Sequence, residues 1–351
     1  MPEPPAPLFT PVNLITGFLG AGKTTLLQKL LADPALADTA VLINEFGEVG
    51  LDHHLLERID DTMVLLQSGC VCCTIRGDLS AAIRDLHGKR ERGKAPRFRR
   101  LVIESTGLAD PFPILSTVQA DPVLRHHFRL GNVITTVDAV NALRQLARQP
   151  ESTKQVAVAD RLVLTKTDLA EAAEVELLVE RLRRLNPSAP LWRSAEGPVD
   201  AAALLAHDVF ATASRSAQAR RWLAAELEAA PPPVADRDPN RHDETIHTFT
   251  LTLDGAVDWT AFGLWLTMLL HRHGERVLRV KGILNVTGSA TPVAIHGVQH
   301  LVHPPVHMAA WPDGPRSSRL VFIVDGLDAR LIERSLASFL GLVPAVLSPA
   351  A

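Results

Sequence analysis

The stretch GFLGAGKT, at residues 17–24, decides the fold of the amino-terminal part of this chain. It fits the pattern G-x-x-x-x-G-K-[S/T] without a mismatch, and it lies between an apolar run and a stretch with helical periodicity. Glycines let a backbone wrap closely around phosphate oxygens, and the N–H groups at the start of a helix attract anions. The stretch therefore predicts a nucleoside triphosphate site on a strand–loop–helix unit.

Side chains of this loop have separate expected roles. Lys23 supplies a cation for the outer phosphates and is expected to be catalytic, and Thr24 supplies a hydroxyl for Mg²⁺. The residues expected to bind the nucleotide here are Gly17, Gly20, Ala21, Gly22, Lys23, Thr24 and Thr25.

Short apolar runs alternate with helical stretches around this loop, which is typical of a parallel sheet covered by helices. Strands are predicted at residues 12–16, 40–44, 63–67, 101–104, 133–137 and 162–165, and helices at 23–31, 78–90, 139–148 and 171–185. Three prolines at 231–233 cannot continue a helix and favour an extended spacer. We therefore predict an α/β P-loop domain with a mostly parallel sheet over residues 1–230, a proline-rich linker over 231–243, and a smaller α+β domain over 244–351.

Composition excludes several classes of function. The chain has 351 residues, of which 46% are hydrophobic and 21% charged, and its net charge of −3 gives no basic footprint for nucleic acid. No apolar run reaches the roughly 18–20 residues that span a bilayer, and the amino terminus lacks the pattern of a secretory signal. We expect a cytoplasmic protein with no nucleic-acid or membrane partner.

A second element, LVIESTG at residues 101–107, is an apolar strand that ends in Glu-x-x-Gly. The carboxylate of Glu104 is placed to orient Mg²⁺ or its water shell, and we assign it a catalytic role. Gly107 allows a backbone N–H to approach the γ-phosphate, so this loop is expected to sense that phosphate.

The third element, LTKTD at residues 164–168, is similar to the Asn-Lys-x-Asp guanine signature of GTPases. Asp168 would accept two hydrogen bonds from guanine, and a buried carboxylate there would reject adenine. Lys166 is expected to lie along the base and the phosphate loop. Thr165 departs from the signature, which has Asn, and leaves ATP open beside GTP. Ser194, in a short Ser-Ala loop, is expected to support the base.

All three cysteines of the chain lie together, as Cys70, Cys72 and Cys73. An odd number at this spacing cannot form a disulfide framework, and thiolates favour Zn²⁺ and other soft or borderline metals. We predict a transition-metal site at this turn, completed by Glu45 and Glu48. Glu45 is also a candidate for positioning the attacking water. Buried packing and a redox switch are the alternatives for the cysteines.

These motifs together resemble the CobW/YjiA-like family of metallochaperone GTPases, which includes the zinc-regulated GTPase metalloprotein activators and belongs to the SIMIBI class of P-loop GTPases. The matching positions are residues 17–25, 44–50, 69–73, 104–107, 138 and 166–168, with 279–282, 296–300 and 311–312 in the second domain. The resemblance implies GTP hydrolysis with Mg²⁺, binding of Zn²⁺ (or Co²⁺) at the cysteines, and metal delivery to a client metalloprotein. It also implies a CobW C-terminal-type second domain, and it leaves a homodimer open.

Two other functions remain open at this stage. One is a GTPase switch whose cysteines are structural or redox-active, and the other is a nucleotide-dependent scaffold that does not hydrolyse. The second domain also carries histidines that we interpret as strand and loop surface residues, with a second metal site as the alternative. These histidines are His271, His273, His296, His300, His303 and His307.

Overall fold

The computed structural model describes residues 9–44, 63–66, 75–195, 200–206, 245–308, 310–311 and 316–341. These residues form two compact units, each built on its own sheet. The predicted linker, 231–243, lies outside the described residues, so the domain boundaries stay a prediction. Within the described ranges, no helix combines the length and the apolar character needed to cross a membrane.

The first unit contains a parallel sheet of seven strands among the described residues. The strands are β1 (Thr10–Gly17), β2 (Thr39–Asn44), β3 (Met63–Leu66), β4 (Arg100–Glu104), β5 (Phe128–Asp138), β6 (Arg161–Thr165) and β7 (Leu191–Arg193). Their order is β3-β2-β4-β1-β5-β6-β7, and every neighbouring pair is parallel. This confirms the predicted α/β class.

Helices connect these strands. They are α1 (Lys23–Leu31), α2 (Ile75–Glu91), α3 (Pro111–Ala120), α4 (Leu124–His127), α5 (Ala142–Arg148), α6 (Pro150–Val158) and α7 (Ala172–Leu185). Ile15, Ile134 and Val163 of the central strands form one buried cluster with Leu27 and Leu30 of α1. This apolar contact anchors α1 on the sheet, and with it the loop that precedes the helix.

The strand order places the loops that matter at one edge of the sheet. Strand β1 lies between β4 and β5, and β6 follows β5. Because the strands are parallel, the loops after β1, β4, β5 and β6 all leave from the carboxyl edge. In open parallel sheets ligands bind in a crevice at this edge. The three predicted nucleotide motifs therefore meet there.

Among its described residues, the second unit has an antiparallel sheet and two helices. Its strands are β8 (Ile246–Leu253), β9 (Val277–Leu284), β10 (Val293–Val298), β11 (Leu301–Val302), β12 (Val306–His307) and β13 (Ser318–Asp325), and its helices are α8 (Trp259–His273) and α9 (Ala329–Phe339). Phe249 and Phe322 stack at 5.3 Å between ring centroids, and Trp265 of α8 meets Phe322 edge-on. These contacts form the core of a smaller α+β unit, as predicted.

Three described helices of the first unit, α3, α4 and α6, were absent from the prediction. Helices α3 and α6 both begin with proline, at Pro111 and Pro150. Proline is compatible with the first helical position because the N–H it lacks has no intrahelical partner there. In α3 the side chain of Asp110 accepts a hydrogen bond from the N–H of Phe112, so an Asp-Pro pair starts this helix.

Candidate nucleotide site

The phosphate loop connects β1 to α1 at the carboxyl edge of the first sheet. Gly17 has φ of 142°, and a Cβ at this position would overlap the hydroxyl and carbonyl oxygens of Thr136 in β5. Only glycine fits there, so β1 and β5 can stay in close contact where the loop begins. Gly22, at φ 83°, then precedes the first turn of α1. The backbone thus has the course that the motif predicts.

Lys23 is held by the loop itself. Its Nζ donates hydrogen bonds to the carbonyl oxygens of Gly17, at 3.0 Å, and Phe18, at 3.1 Å. Burial lowers the pKa of Lys23 below its ordinary 10.5, and the nearby Glu104 carboxylate partly opposes that change by raising it. The cation therefore lies beside the phosphate loop.

Thr24 and Glu104 meet across the site although they are 80 residues apart in the chain. The Thr24 hydroxyl donates to Oε1 of Glu104 at 2.7 Å, and Glu104 is only 6% exposed. The next residue, Ser105, fixes this strand end by bonding its backbone N–H to Ile15 O and its hydroxyl to Thr16 Oγ1. A hydroxyl and a carboxylate are the hard oxygen ligands that Mg²⁺ prefers, so this pair fits that ion.

The Glu-x-x-Gly loop, residues 104–107, touches the phosphate loop. A Cβ on Gly107 would lie 2.6 Å from the backbone nitrogen of Leu19, so only glycine allows this approach. On α6, Gln155 donates from Nε2 to the carbonyl oxygens of Gly107 and Ala109. The sequence interpretation did not identify Gln155, because a single glutamine in a helix matches no motif.

The base loop after β6 is tied to the phosphate loop through Thr165. Its hydroxyl donates to the carbonyl oxygens of Ala21, at 3.0 Å, and Val137, at 3.2 Å. The threonine that departs from the guanine signature therefore connects the end of β6 to the phosphate loop and to the neighbouring strand β5. Lys166 follows in the left-handed region, at φ 58°.

Lys166 pairs with a carboxylate on the neighbouring strand. Its Nζ donates to Oδ2 of Asp138 at 2.8 Å, because β5 and β6 end side by side. Asp138 also accepts hydrogen bonds from the N–H of Val140 and from Nδ2 of Asn141. Burial by itself raises the pKa of Asp138, but these bonds and the Lys166 charge outweigh it and hold the pKa below its ordinary 3.8.

The remaining base-loop residues lie at the same edge. Asp168 lies in a short 3₁₀ turn, Thr167–Leu169, and its side chain is exposed. Its carboxylate is therefore accessible to a ligand at this edge. Ser194 follows β7 and donates its backbone N–H to Leu164 O at 2.9 Å, beside the base loop.

The predicted transition-metal site lies outside the described residues. It consists of Cys70, Cys72, Cys73, Glu45 and Glu48. In the part of the chain that the structure does describe, no group of three or more His, Cys, Asp or Glu side chains could hold a metal ion. The cysteine site therefore stays a prediction.

Two of the second-unit histidines are not surface residues. His296 and His303 are buried, and their rings stack at 4.3 Å between centroids with only 7° between the planes. The backbone N–H of His303 bonds His296 O across the β10–β11 turn, which brings the rings together. Lone pairs of imidazole lie in the ring plane, so parallel stacked rings do not converge on one ion. This arrangement disfavours a metal shared by the pair.

The loop at the carboxyl edge, with its lysine, threonine and paired glutamate, defines a P-loop nucleotide-binding protein. Residues 11–193 match the family described as CobW/HypB/UreG, nucleotide-binding domain, and residues 246–340 match the cobalamin synthesis protein cobW C-terminal domain. The chain belongs to the CobW/HypB/UreG family.

Two relatives and one crystal structure are similar to this chain over about half to most of its length. It is 36% identical over 315 residues to zinc chaperone YjiA of Escherichia coli, covering 89% of this chain and 93% of that one. It is 33% identical over 197 residues to zinc-regulated GTPase metalloprotein activator 1 of Schizosaccharomyces pombe, covering 54% and 47%. A crystal structure of Zn(II)-bound YjiA GTPase from E. coli matches with a TM-score of 0.69 and 31% identity, covering 94% and 99%.

Proposed function

We propose that this protein is a GTP-hydrolysing metallochaperone that binds zinc, or another transition metal, and delivers it to a client metalloprotein. The proposed binding and hydrolysis of GTP are supported chiefly by the contact between Thr24 and Glu104 at a complete phosphate loop. The metal half rests on the cysteine motif in the sequence and on membership of a family whose relatives include a zinc chaperone and a GTPase metalloprotein activator.

The phosphate groups of GTP would bind to the loop backbone from Gly20 to Thr25 and to Lys23. The Lys23 ammonium now donates to two carbonyl oxygens, and it would exchange these for phosphate oxygens, which are stronger, charged acceptors. Thr24 and Glu104 would hold Mg²⁺, which neutralises charge on the phosphates when it is bound. Gly107 would offer its backbone to the γ-phosphate.

The base would be read at the loop after β6. Asp168 would accept hydrogen bonds from guanine, and its exposed carboxylate would be covered only when the base binds. Adenine lacks the matching pair of donors, so covering the carboxylate against adenine would leave it unpaired. This difference supports GTP over ATP.

Cys70, Cys72 and Cys73 would bind the cargo metal, with Glu45 and Glu48 as further ligands. In the chain this turn lies between the phosphate loop and the Glu-x-x-Gly loop. Ordering of these loops by a γ-phosphate would change the arrangement of the sulfur atoms, so hydrolysis would release the metal.

Phosphate release tests the hydrolytic half of the proposal. The wild type should release phosphate from GTP, and Lys23→Ala should lower the rate by at least about a hundredfold, since it removes a cation at the transferring phosphoryl group. Lys29→Ala is the matched control, because Lys29 lies exposed near the end of the same helix. Equal rates for the wild type and Lys23→Ala would favour the non-hydrolysing scaffold.

Elemental analysis tests the metal half. The zinc content per chain should be much lower in a variant carrying Cys72→Ala and Cys73→Ala than in the wild type. It should not change in His126→Ala, whose histidine is exposed and belongs to no proposed metal site. Equal zinc contents in all three proteins would favour the alternative, a GTPase switch whose cysteines do not bind a cargo metal. A separate experiment would identify the client. It captures interacting proteins with the wild type and with the cysteine variant, under zinc limitation, and compares the two sets.

A further inference from the structure

Gln155 occupies an unusual place for an uncharged polar side chain. It is only 1% exposed, on α6 among the buried residues Val156, Ala157 and Val158. Burying an amide costs free energy unless the amide is hydrogen-bonded. A glutamine at such a position therefore indicates a specific contact.

That contact is with the Glu-x-x-Gly loop. Nε2 of Gln155 donates to Gly107 O at 3.2 Å and to Ala109 O at 3.0 Å. Both acceptors are carbonyl oxygens, which cannot donate, so the amide has only one orientation that satisfies them. The two acceptors of Gln155 lie in a turn, in which the backbone N–H of Ala109 donates to Thr106 O at 3.2 Å.

Gly107 thus has two neighbours that fix it. Its Cα lies against the backbone of Leu19 in the phosphate loop, and its carbonyl is held by Gln155. Since a trans peptide is planar, holding the Gly107 carbonyl also sets the direction of the following N–H. Helix α6 is itself fastened to the sheet, because the Thr135 hydroxyl of β5 donates to Gln155 O at 2.9 Å.

We propose that Gln155 is a positioning residue for discrimination between GTP and GDP. Its amide holds Gly107 against the phosphate loop, in place to meet a γ-phosphate, so a triphosphate finds the loop already ordered. A diphosphate does not reach this loop and gains nothing from it. The inference rests on the proposed GTP-binding function and adds to it a residue outside every motif.

The test compares affinities for two nucleotides. Gln155→Met keeps the length of the side chain and removes both donors. We expect the Kd of a non-hydrolysable GTP analogue, measured with Mg²⁺, to rise about tenfold, which corresponds to about 1.4 kcal/mol and is typical of a lost buried hydrogen bond. The Kd of GDP should change by less than about twofold.

Thr135→Val is the matched control. It removes a hydrogen bond to the same residue, but through the backbone carbonyl, and it leaves the side-chain amide unchanged. It should alter the ratio of the two affinities by less than about twofold. If it reproduces the selective loss, general loosening of α6 is the cause and the inference is wrong.

Other results would also overturn the inference. An equal rise in both Kd values, or no rise in either, would reduce Gln155 to a structural residue. If Gln155→Met does not fold, Gln155→Asn takes its place, because a side chain shorter by one methylene keeps the amide but cannot reach both carbonyls. A wild type that binds neither guanine nucleotide would instead remove the proposed function, which is a different outcome.

Discussion

Replacing Asp138 by Asn should weaken guanine-nucleotide binding through Lys166. Oδ1 of Asp138 accepts the N–H of Val140, whereas Oδ2 accepts Asn141 Nδ2 and Lys166 Nζ. The amide oxygen of an asparagine would still accept the N–H of Val140. Its amide NH₂ group is a donor, however, and would face the two donors Asn141 Nδ2 and Lys166 Nζ. The substitution therefore breaks the ion pair and largely spares the turn after β5.

The size of the effect follows from the burial of the two partners. Asp138 is 2% exposed, and removing one partner of a fully buried pair costs about 3–5 kcal/mol. Lys166, however, is 36% exposed and can regain water, and fully exposed pairs contribute only about 0–1 kcal/mol. We expect a loss of about 1–2 kcal/mol in the free energy of unfolding, and about a tenfold rise in the Kd of GDP because Lys166 is no longer fixed.

Denaturant titration at pH 7 and nucleotide titration measure the two effects. The pKa of Asp138 is lowered in the folded protein, so its stabilisation is complete above the ordinary value of 3.8 and is lost as the pH falls through the folded pKa. The difference in stability between the wild type and the variant should therefore close below about pH 4.

Asp258→Asn is the control for the same chemical change. Its carboxylate only caps α8, through the N–H of Ala261, and asparagine caps equally well. Unchanged GDP affinity in Asp138→Asn would refute the role given to the ion pair, even if the protein were less stable.

Two further substitutions test the loop contacts. Thr165→Val removes the hydroxyl that bonds Ala21 and Val137. We expect a loss of about 1–3 kcal/mol in unfolding free energy and weaker binding of both GTP and GDP. Nucleotide affinities equal to those of the wild type would contradict the connection between the base loop and the phosphate loop. Gly107→Ala places a methyl group 2.6 Å from the Leu19 nitrogen, so the loop must shift. We expect steady-state GTP hydrolysis to be at least about tenfold slower. A wild-type rate would show that the close approach of the two loops is dispensable.

Much of the fold was predictable because its signals are local. Helix α1 begins and ends where it was predicted, at Lys23 and Leu31, since the phosphate motif marks its start. The central strands were recognised as apolar runs, although β5 proved longer, at Phe128–Asp138, than its apolar centre. Helices α3 and α6 begin with proline and were missed, because proline disrupts a helix interior although it is compatible with the first helical position.

The site was predictable as a set of loops but not as a set of contacts. Motif spacing identified Lys23, Thr24 and Glu104, and the structure brings the last two within hydrogen-bonding distance. The Asp138–Lys166 pair depends on how two strand ends align, and the Gln155 contact depends on the rotation of α6. Neither quantity is encoded in a short window of sequence.

The contact between Thr165 and Ala21 spans 144 residues of chain. A nascent chain with only the amino-terminal half of this domain therefore contains the phosphate loop but not yet the base loop that supports it. Contacts this distant form late, because the chain between them must first be ordered. Nucleotide capture by nascent chains of increasing length should thus begin only after β6 and Asp168 have left the exit tunnel, which makes nucleotide binding a reporter of completed folding in this unit.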